Sequence, residues 1–326
     1  MTLLSKSNNV ISMKNKKVLV TGGCGFIGSH IVDRLIKDGA KVKVIDDLST
    51  GSLENLNKSA EFHKCDIKNV ASLAEHFKGI DYVFHTAALA RIQPSIKDPK
   101  TTFDANATGT LNVLVAARDA GVKRVIYSAS SSVYGEQPSL PLRENMVVHP
   151  KNIYALSKLI GEDLCKIFSS LYNLDTVSLR YFNVYGPRQI NSGAYSTVIG
   201  VFLTQLQNKQ LLTITGNGTI KRDFTYIDDV VEANILAAQN KESMEGEIIN
   251  IGTGKYYSIN EVATMVLKIP SSSSEKAMKE KLLTYIPPRP AESRATLASN
   301  SKAKKILGWT PKVSFERGLE LTRAYY

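Results

Sequence analysis

Lys17-Val-Leu-Val-Thr-Gly-Gly-Cys-Gly-Phe-Ile-Gly28 is the stretch on which the fold of this chain turns. Its first residues form a short apolar run, the pattern of a strand buried on both faces. Behind it, Ser29 to Lys37 carries Ile31, Val32, Leu35 and Ile36 at helical spacing. Between the two, Gly22 permits a tight turn, Gly25 lets a pyrophosphate approach the backbone, and Gly28 lets the helix pack close to the strand. Strand, glycine turn and helix in this order make a dinucleotide fingerprint, with the helix N-terminus offering free N–H groups and partial positive charge. The spacing, G-x-x-G-x-x-G, marks a subclass of the commoner G-x-G-x-x-G. A second strand, Lys41-Val-Lys-Val-Ile45, ends at Asp46, about twenty residues beyond the turn. A carboxylate there accepts both ribose hydroxyls of NAD and repels the 2′-phosphate of NADP, and no Arg follows directly. The expected cofactor is NAD.

Further along, Asn152-Ile-Tyr-Ala-Leu-Ser-Lys158 puts Tyr154 and Lys158 one helical turn apart on one face. A tyrosine is a poor base at neutral pH, since its ordinary pKa is about 10. A nearby ammonium favours the phenolate, which can then take a proton from a sugar or alcohol hydroxyl while a hydride leaves the same carbon. By itself this spacing is common on surface helices; the upstream fingerprint gives it meaning.

More motifs follow in order: Asp66-Ile67 after a third strand, His85-Thr-Ala-Ala88 after a fourth, Asn106-Ala-Thr-Gly-Thr-Leu-Asn112 opening a helix, and Ser128-Ala-Ser-Ser-Ser-Val-Tyr-Gly135 after a fifth. With these the chain resembles the extended short-chain dehydrogenase/reductase family, and within it the nucleotide-sugar epimerases, over nearly everything from Lys17 to Pro311. The resemblance implies an α/β fold, a doubly wound parallel Rossmann sheet with a smaller α/β C-terminal substrate domain. It implies that Gly22, Gly25, Phe26, Ile27 and Gly28 hold the pyrophosphate, Asp46 the adenosine ribose, and Asp66 and Ile67 the adenine. Ala87 and Ala88 match the small residues beneath the cofactor. Ser130 matches the catalytic hydroxyl, Tyr154 the base, and Lys158 its partner, which also holds the nicotinamide ribose. In the carboxyl half, Tyr181 matches a residue lining the sugar pocket and Asn183 one that meets the substrate diphosphate. Arg222 and Arg289 match phosphate-binding residues, for which the planar guanidinium fork is suited, and Glu292 matches a ligand of the nucleotide ribose. Arg188 is read as a surface charge.

Three departures within the family narrow the chemistry. Related 4,6-dehydratases carry an acid–glutamate pair at the positions of Ser131 and Ser132, and related UDP-glucuronate decarboxylases a glutamate at Ser132. Hydroxyls there cannot abstract a C5 proton, so the expected reaction stops at the 4-keto sugar: NAD-dependent C4 epimerisation of a UDP-sugar. Thr296 stands where galactose-restricted epimerases place a bulky tyrosine, and Ala90 where they carry a lysine. Both point toward UDP-GlcNAc/UDP-GalNAc, with UDP-Glc/UDP-Gal alongside. A UDP-glucuronate 4-epimerase stays open, since Arg91 could meet a C6 carboxylate, as does another NAD-dependent nucleotide-sugar-modifying enzyme. A non-catalytic NAD(H)-sensing protein is the alternative from another class, and the intact Ser130–Tyr154–Lys158 set speaks against it.

At 326 residues with 43% hydrophobic content the chain reads as globular, long enough to bury roughly 75% of its extended surface. The expected division is residues 16–180 for NAD, with a return segment near 224–240, and residues 181–326 for the nucleotide sugar. Residues 1–15 are expected to be disordered, and Ser271–Ser274 to lie in a loop. The net charge of +11 is dispersed and accompanied by no nucleic-acid reading module, so no nucleic-acid partner is expected. Neither a signal peptide nor a membrane span is read. Cys24, Cys65 and Cys165 are odd in number and lack metal spacing, which suits free thiols in a reducing cytoplasm and no metal. His85 is read as packing. Family resemblance also implies a homodimer through a four-helix bundle, built from Thr101–Ala120 and Tyr154–Tyr172 of each subunit.

Overall fold

A computed structural model describes residues 11–190, 196–269 and 282–326. Seven parallel strands make the central sheet. Six come in sequence: β1 (Lys17–Thr21), β2 (Lys41–Asp46), β3 (Glu61–Lys64), β4 (Tyr82–His85), β5 (Arg124–Ser130) and β6 (Asp175–Tyr181). The seventh, Glu247–Ile251, pairs with β6 after the chain has left and returned. In space the order runs β3-β2-β1-β4-β5-β6 and then the seventh strand, so the winding reverses between β1 and β4. Ligands of open α/β sheets bind outside the carboxyl ends of the strands at such a reversal.

The alternation of side chains along each strand feeds two cores. Val18, Val20, Phe84 and Ile126 face one side, against Ile31, Val32 and Leu35 of α1 (Phe26–Lys37) and against Val230 and Ile235 of the helix Ile227–Gln239. Leu19, Val83 and Val125 face the other, against Leu73 and Phe77 of α2 (Val70–Phe77). That second side is completed by a helical run made of α3 (Ile92–Lys97), α4 (Pro99–Phe103), a π-helical stretch Asp104–Thr108 and α5 (Gly109–Asp119), and then by α6 (Ile153–Tyr172). Asn152 caps α6 by accepting from Ala155 N at 2.9 Å, and Asn173 ends it in the left-handed conformation.

The remainder contributes small sheets and the helices Val198–Gln207 and Ile259–Leu267. In one of these sheets Lys221–Arg222 lies between Tyr257–Ser258 and Ala295–Thr296, which brings Arg222 beside Thr296. Asp223, fully buried, organises this region: its carboxylate accepts from the N–H groups of Thr253, Gly254 and Ala298 at 2.9–3.0 Å.

Of the stretch 1–15, residues 11–15 are described: the N–H of Ile11 donates to Gln239 O at 2.7 Å, and Met13 is 1% exposed in the core. Disorder therefore does not extend over 11–15, because Met13 finds an apolar seat that its polar sequence neighbours do not announce. Residues 1–10 and Ser271–Ser274 lie outside the described residues. Among the described residues no helix is long and apolar enough to cross a membrane.

Candidate active site

Two cavities open at the carboxyl end of the sheet and share a wall. The first, about 240 Å³, is lined by Gly22, Gly25, Phe26, Ile27, Gly28, Asp46, Asp66, Ile67, Ala87 and Ala88, residues drawn from the ends of β1, β2, β3 and β4. The glycine turn sits at its floor. A Cβ on Gly28 would lie 2.1 Å from Gly22 O and 2.7 Å from Thr86 Oγ1, so only glycine lets α1 begin this close to β1. Gly25, the N-cap of α1, offers no side-chain cap, which leaves the first N–H groups of the helix to a bound anion. Asp46 is buried, and burial pushes its carboxyl above the ordinary range, opposed by N–H donation from Leu48 (2.8 Å) and Cys24 (2.9 Å). Those two bonds fix the carboxylate at the crevice edge. A glycine cradle, an uncapped helix and a fixed carboxylate fit a dinucleotide.

The motif Asn106–Asn112 has a structural task that its sequence did not disclose. Asn106 clamps the loop after β4, accepting from Leu89 N at 2.8 Å and donating to Leu89 O at 3.1 Å. Asn112 donates to Ile67 O at 3.0 Å. Gly109 lets the same helical run approach Ile67, whose Cδ1 would lie 2.6 Å from a Cβ there. Two loops bordering the crevice are thus tied to one helix. His85 adds a third tie: it is 1% exposed and bridges Thr21 Oγ1 (2.7 Å) and Thr110 Oγ1 (2.9 Å).

The second cavity, about 360 Å³, is lined by Ser130, Tyr154, Tyr181, Asn183, Arg222, Arg289, Glu292 and Thr296, and shares Phe26, Ile27, Ala90 and Arg91 with the first. Ser130 ends β5 and caps the short turn Ser131–Tyr134, accepting from Ser132 N at 3.2 Å and Ser132 Oγ at 2.9 Å. It lines this cavity together with Tyr154. Burial pushes the Tyr154 phenol upward; the Ser130 hydroxyl and the Arg91 guanidinium act in the opposite direction. Lys158, one turn on, is 3% exposed and lines neither cavity. Its Nζ donates to Ser128 O at 2.8 Å and sits 4.9 Å above the Tyr127 ring. Burial lowers its pKa to about 8, with Glu162 opposing.

At the far end Arg222 reaches Glu292 at 3.4 Å and donates to Ser293 O at 2.8 Å, while Arg289 is exposed at the rim. Asn183 donates to Asp223 O (2.9 Å) and Thr296 Oγ1 (3.2 Å). The Tyr181 hydroxyl turns away, donating to Asn234 Oδ1 at 2.9 Å, so its ring forms the wall. Arg188 pairs with Asp33 at 2.8 Å and lines neither cavity. The arrangement offers a hydroxyl–phenol pair at one end, guanidinium groups at the other, and a dinucleotide crevice alongside. That suits proton and hydride exchange on a molecule carrying an anionic handle.

Comparison with known proteins agrees with this geometry. The family model described as the NAD dependent epimerase/dehydratase family matches residues 18–252. A UDP-glucose 4-epimerase of Mycolicibacterium smegmatis is 36% identical over 318 residues, covering 95% of this chain and 98% of that protein. The crystal structure of UDP-glucose 4-epimerase with UDP-glucose from Thermotoga maritima is similar with a TM-score of 0.87 and 38% identity, covering 95% of this chain and 98% of that one. A UDP-N-acetylglucosamine 4-epimerase from Methanobrevibacter ruminantium, in complex with UDP-N-acetylmuramic acid, gives a TM-score of 0.87 and 37% identity, covering 96% and 98%.

Proposed function

The chain belongs to the NAD dependent epimerase/dehydratase family, and from that premise we propose that it interconverts the C4 epimers of a UDP-sugar through a transient 4-keto sugar. The observation that carries the reading is that Ser130 and Tyr154 line one cavity together, next to the wall shared with the dinucleotide crevice, with hydroxyls and no carboxylate at 131 and 132.

Residues 16–180, with the return segment near 224–240, hold NAD in this reading, and residues 181–326 hold the nucleotide sugar. Bound NAD supplies a reversible hydride acceptor, so the reaction has no net redox change. Tyr154 withdraws the O4 proton as the C4 hydride leaves; the keto-sugar, held by its diphosphate, then swings to show its other face, and Tyr154 returns the proton to O4 as the hydride comes back to C4. Ser130, on the same cavity as the phenol, relays that proton. Lys158 holds the nicotinamide ribose in this reading, its ammonium keeping N–H donors beyond the one engaged by Ser128 O. Arg222 and Arg289, with Asn183, take the diphosphate, and Glu292 the nucleotide ribose. The cofactor is retained between turnovers.

UDP-GlcNAc/UDP-GalNAc is the first substrate pair and UDP-Glc/UDP-Gal the second. The support is Thr296, a small side chain on the cavity wall whose hydroxyl accepts from Asn183. UDP-glucuronate is the competing reading, supported by the Arg91 guanidinium in the same cavity. Incubation with UDP-GlcNAc, UDP-Glc and UDP-GlcA separately, with the C4 stereoisomers then resolved, decides among them. Near-normal turnover of Tyr154→Phe with NAD bound would end the scheme.

The protein acts as a homodimer in this reading, the helical run through Asp119 and α6 packing with their copies as a four-helix bundle. Leu171 at 70%, Ile167 at 46% and Leu111 at 38% exposure support it, being large apolar side chains on those helices left to solvent by one subunit. Sedimentation equilibrium of the wild type against Leu171→Glu tests it. Three free, buried cysteines suit a reducing cytoplasm.

A further inference from the structure

We infer that Arg91, and not Lys158 alone, readies the Tyr154 phenol for proton withdrawal, acting as a positioning residue of the same site from the wall between the two cavities. The inference rests on the reading of Tyr154 as the base.

Arg91 is the N-cap of α3, a helix that packs on α6. It lines both cavities, as do its neighbour Ala90 and the turn residues Phe26 and Ile27, so it stands on the wall between them. The two candidate cations differ in what they face. Lys158 is turned toward Ser128 O and the Tyr127 ring, and its burial lowers its ionisation to about 8, so its charge is costly to keep. The guanidinium of Arg91 is also lowered by burial, but it begins above about 12 and stays charged at neutral pH.

Among the described residues, these ionisable groups stand on the elements around Tyr154. From β5 come Ser130, which lines the same cavity, and Tyr127, whose own hydroxyl is pushed up by burial. From the entry of α3 comes Arg91. On α6 itself Glu162 closes on Arg180 of β6 at 2.6 Å. Arg118 of α5 pairs with Asp119, and Arg124 of β5 with Asp175. Lys97 and Lys100 on α3 and α4 face solvent, and Asp104 is half-buried. Across the cavity Arg222 leans on Glu292 and Arg289 lies at the rim. A phenol shielded from water needs a nearby fixed cation to offset the loss of solvation of its anion, and Arg91 lines the same cavity as Tyr154 while Lys158 does not.

The test uses the NAD-loaded protein and a neutral UDP-sugar, with Arg91→Gln and Arg91→Lys. The acid limb of the kcat/KM profile reports the base in the free enzyme. It should move up by about one pH unit in Arg91→Gln, as expected for loss of an opposite charge, and most of the way back in Arg91→Lys. In parallel, NMR of protein labelled at the tyrosine phenol carbon, with Tyr154 assigned through Tyr154→Phe, reads the ionisation directly. It should be displaced the same way in Arg91→Gln, and this measurement needs no turnover. An unmoved phenol titration in both variants overturns the inference. A displaced titration with an unmoved kinetic limb upholds the Arg91–Tyr154 coupling and instead removes Tyr154 as the base.

Discussion

Ser132 donates its hydroxyl proton to Ser130 Oγ at 2.9 Å, and Ser130 lines the same cavity as the Tyr154 phenol. Hydrogen bonds in series polarise one another, so Ser132 makes Ser130 a better donor to a developing phenolate. Replacing Ser130 removes the relay itself, and Ser130→Ala should lower kcat by about 10²-fold or more. Ser132→Ala removes only the reinforcement and should cost about three- to tenfold. Both losses should fall on kcat with little change in KM. Steady-state kinetics on the two variants checks the ratio; equal losses would mean that the series does not operate in the order the bonds imply.

Lys158 bears a stability cost that its function would explain. Its ionisation falls from 10.5 to about 8 on burial, so the folded state binds this proton less readily than the unfolded chain. Stability therefore rises with pH between about 8 and 10.5, and below that window the full penalty is present. The shift corresponds to roughly 3 kcal/mol, of which about 1 kcal/mol is offset by the bond to Ser128 O. Lys158→Met should be more stable than wild type at pH 7 by ~2 kcal/mol and almost inactive. Urea midpoints at pH 7, beside turnover assays, measure both.

Much of this was legible in the sequence because it is local. Buried parallel strands read as apolar runs, and the turn Gly22–Gly28 declares itself through glycines that a Cβ would obstruct. The reversal between β1 and β4 then gathers Asp46, Asp66 and Ala87 into one crevice without further instruction. The spacing of Tyr154 and Lys158 was equally plain. The direction of the lysine was not, because Ser128 O and the Tyr127 ring lie on another element and decide its rotamer. The tasks of Asn106 and Asn112 were hidden for the same reason, their carbonyl partners being 17 and 45 residues away. Asp223 reads as one acid in a polar run, yet it gathers N–H groups from two distant loops.

The Glu162–Arg180 pair secures the helix that bears Tyr154. Arg180 donates to both carboxylate oxygens, at 2.9 and 2.6 Å, with side chains 3% and 0% exposed, and its guanidinium lies 4.6 Å from the Tyr134 ring centre. Glu162→Ala would leave a buried guanidinium uncompensated, at a cost of about 3–5 kcal/mol. The double variant Glu162→Met/Arg180→Met should recover most of that loss, since an apolar pair of similar volume needs no desolvation. Chemical denaturation of the three proteins tests it: a double variant no better than Glu162→Ala would mean that packing around the pair, and not the orphaned charge, sets the cost.

His85 predicts an acid limit to stability. Burial pushes its ionisation from 6.5 to about 3, and the neutral ring is held between Thr21 and Thr110. The unfolded chain takes up this proton near pH 6.5 and the folded state does not, so the contribution is whole above that pH and is lost as pH falls toward 3. The loss across that window should reach roughly 4 kcal/mol. Buried carboxyls with raised ionisation, such as those of Asp223 and Asp229, act with the opposite sign, so the wild-type profile alone does not isolate the histidine. Comparison with His85→Gln does, because those carboxyls are common to both proteins. The variant should be less stable at pH 7 by about 1–2 kcal/mol through its weakened threonine contacts, and its stability should fall less steeply between pH 6 and 4. Urea midpoints across that range give the difference directly, and parallel profiles would mean that the imidazole takes up its proton in the folded state as readily as in the unfolded chain.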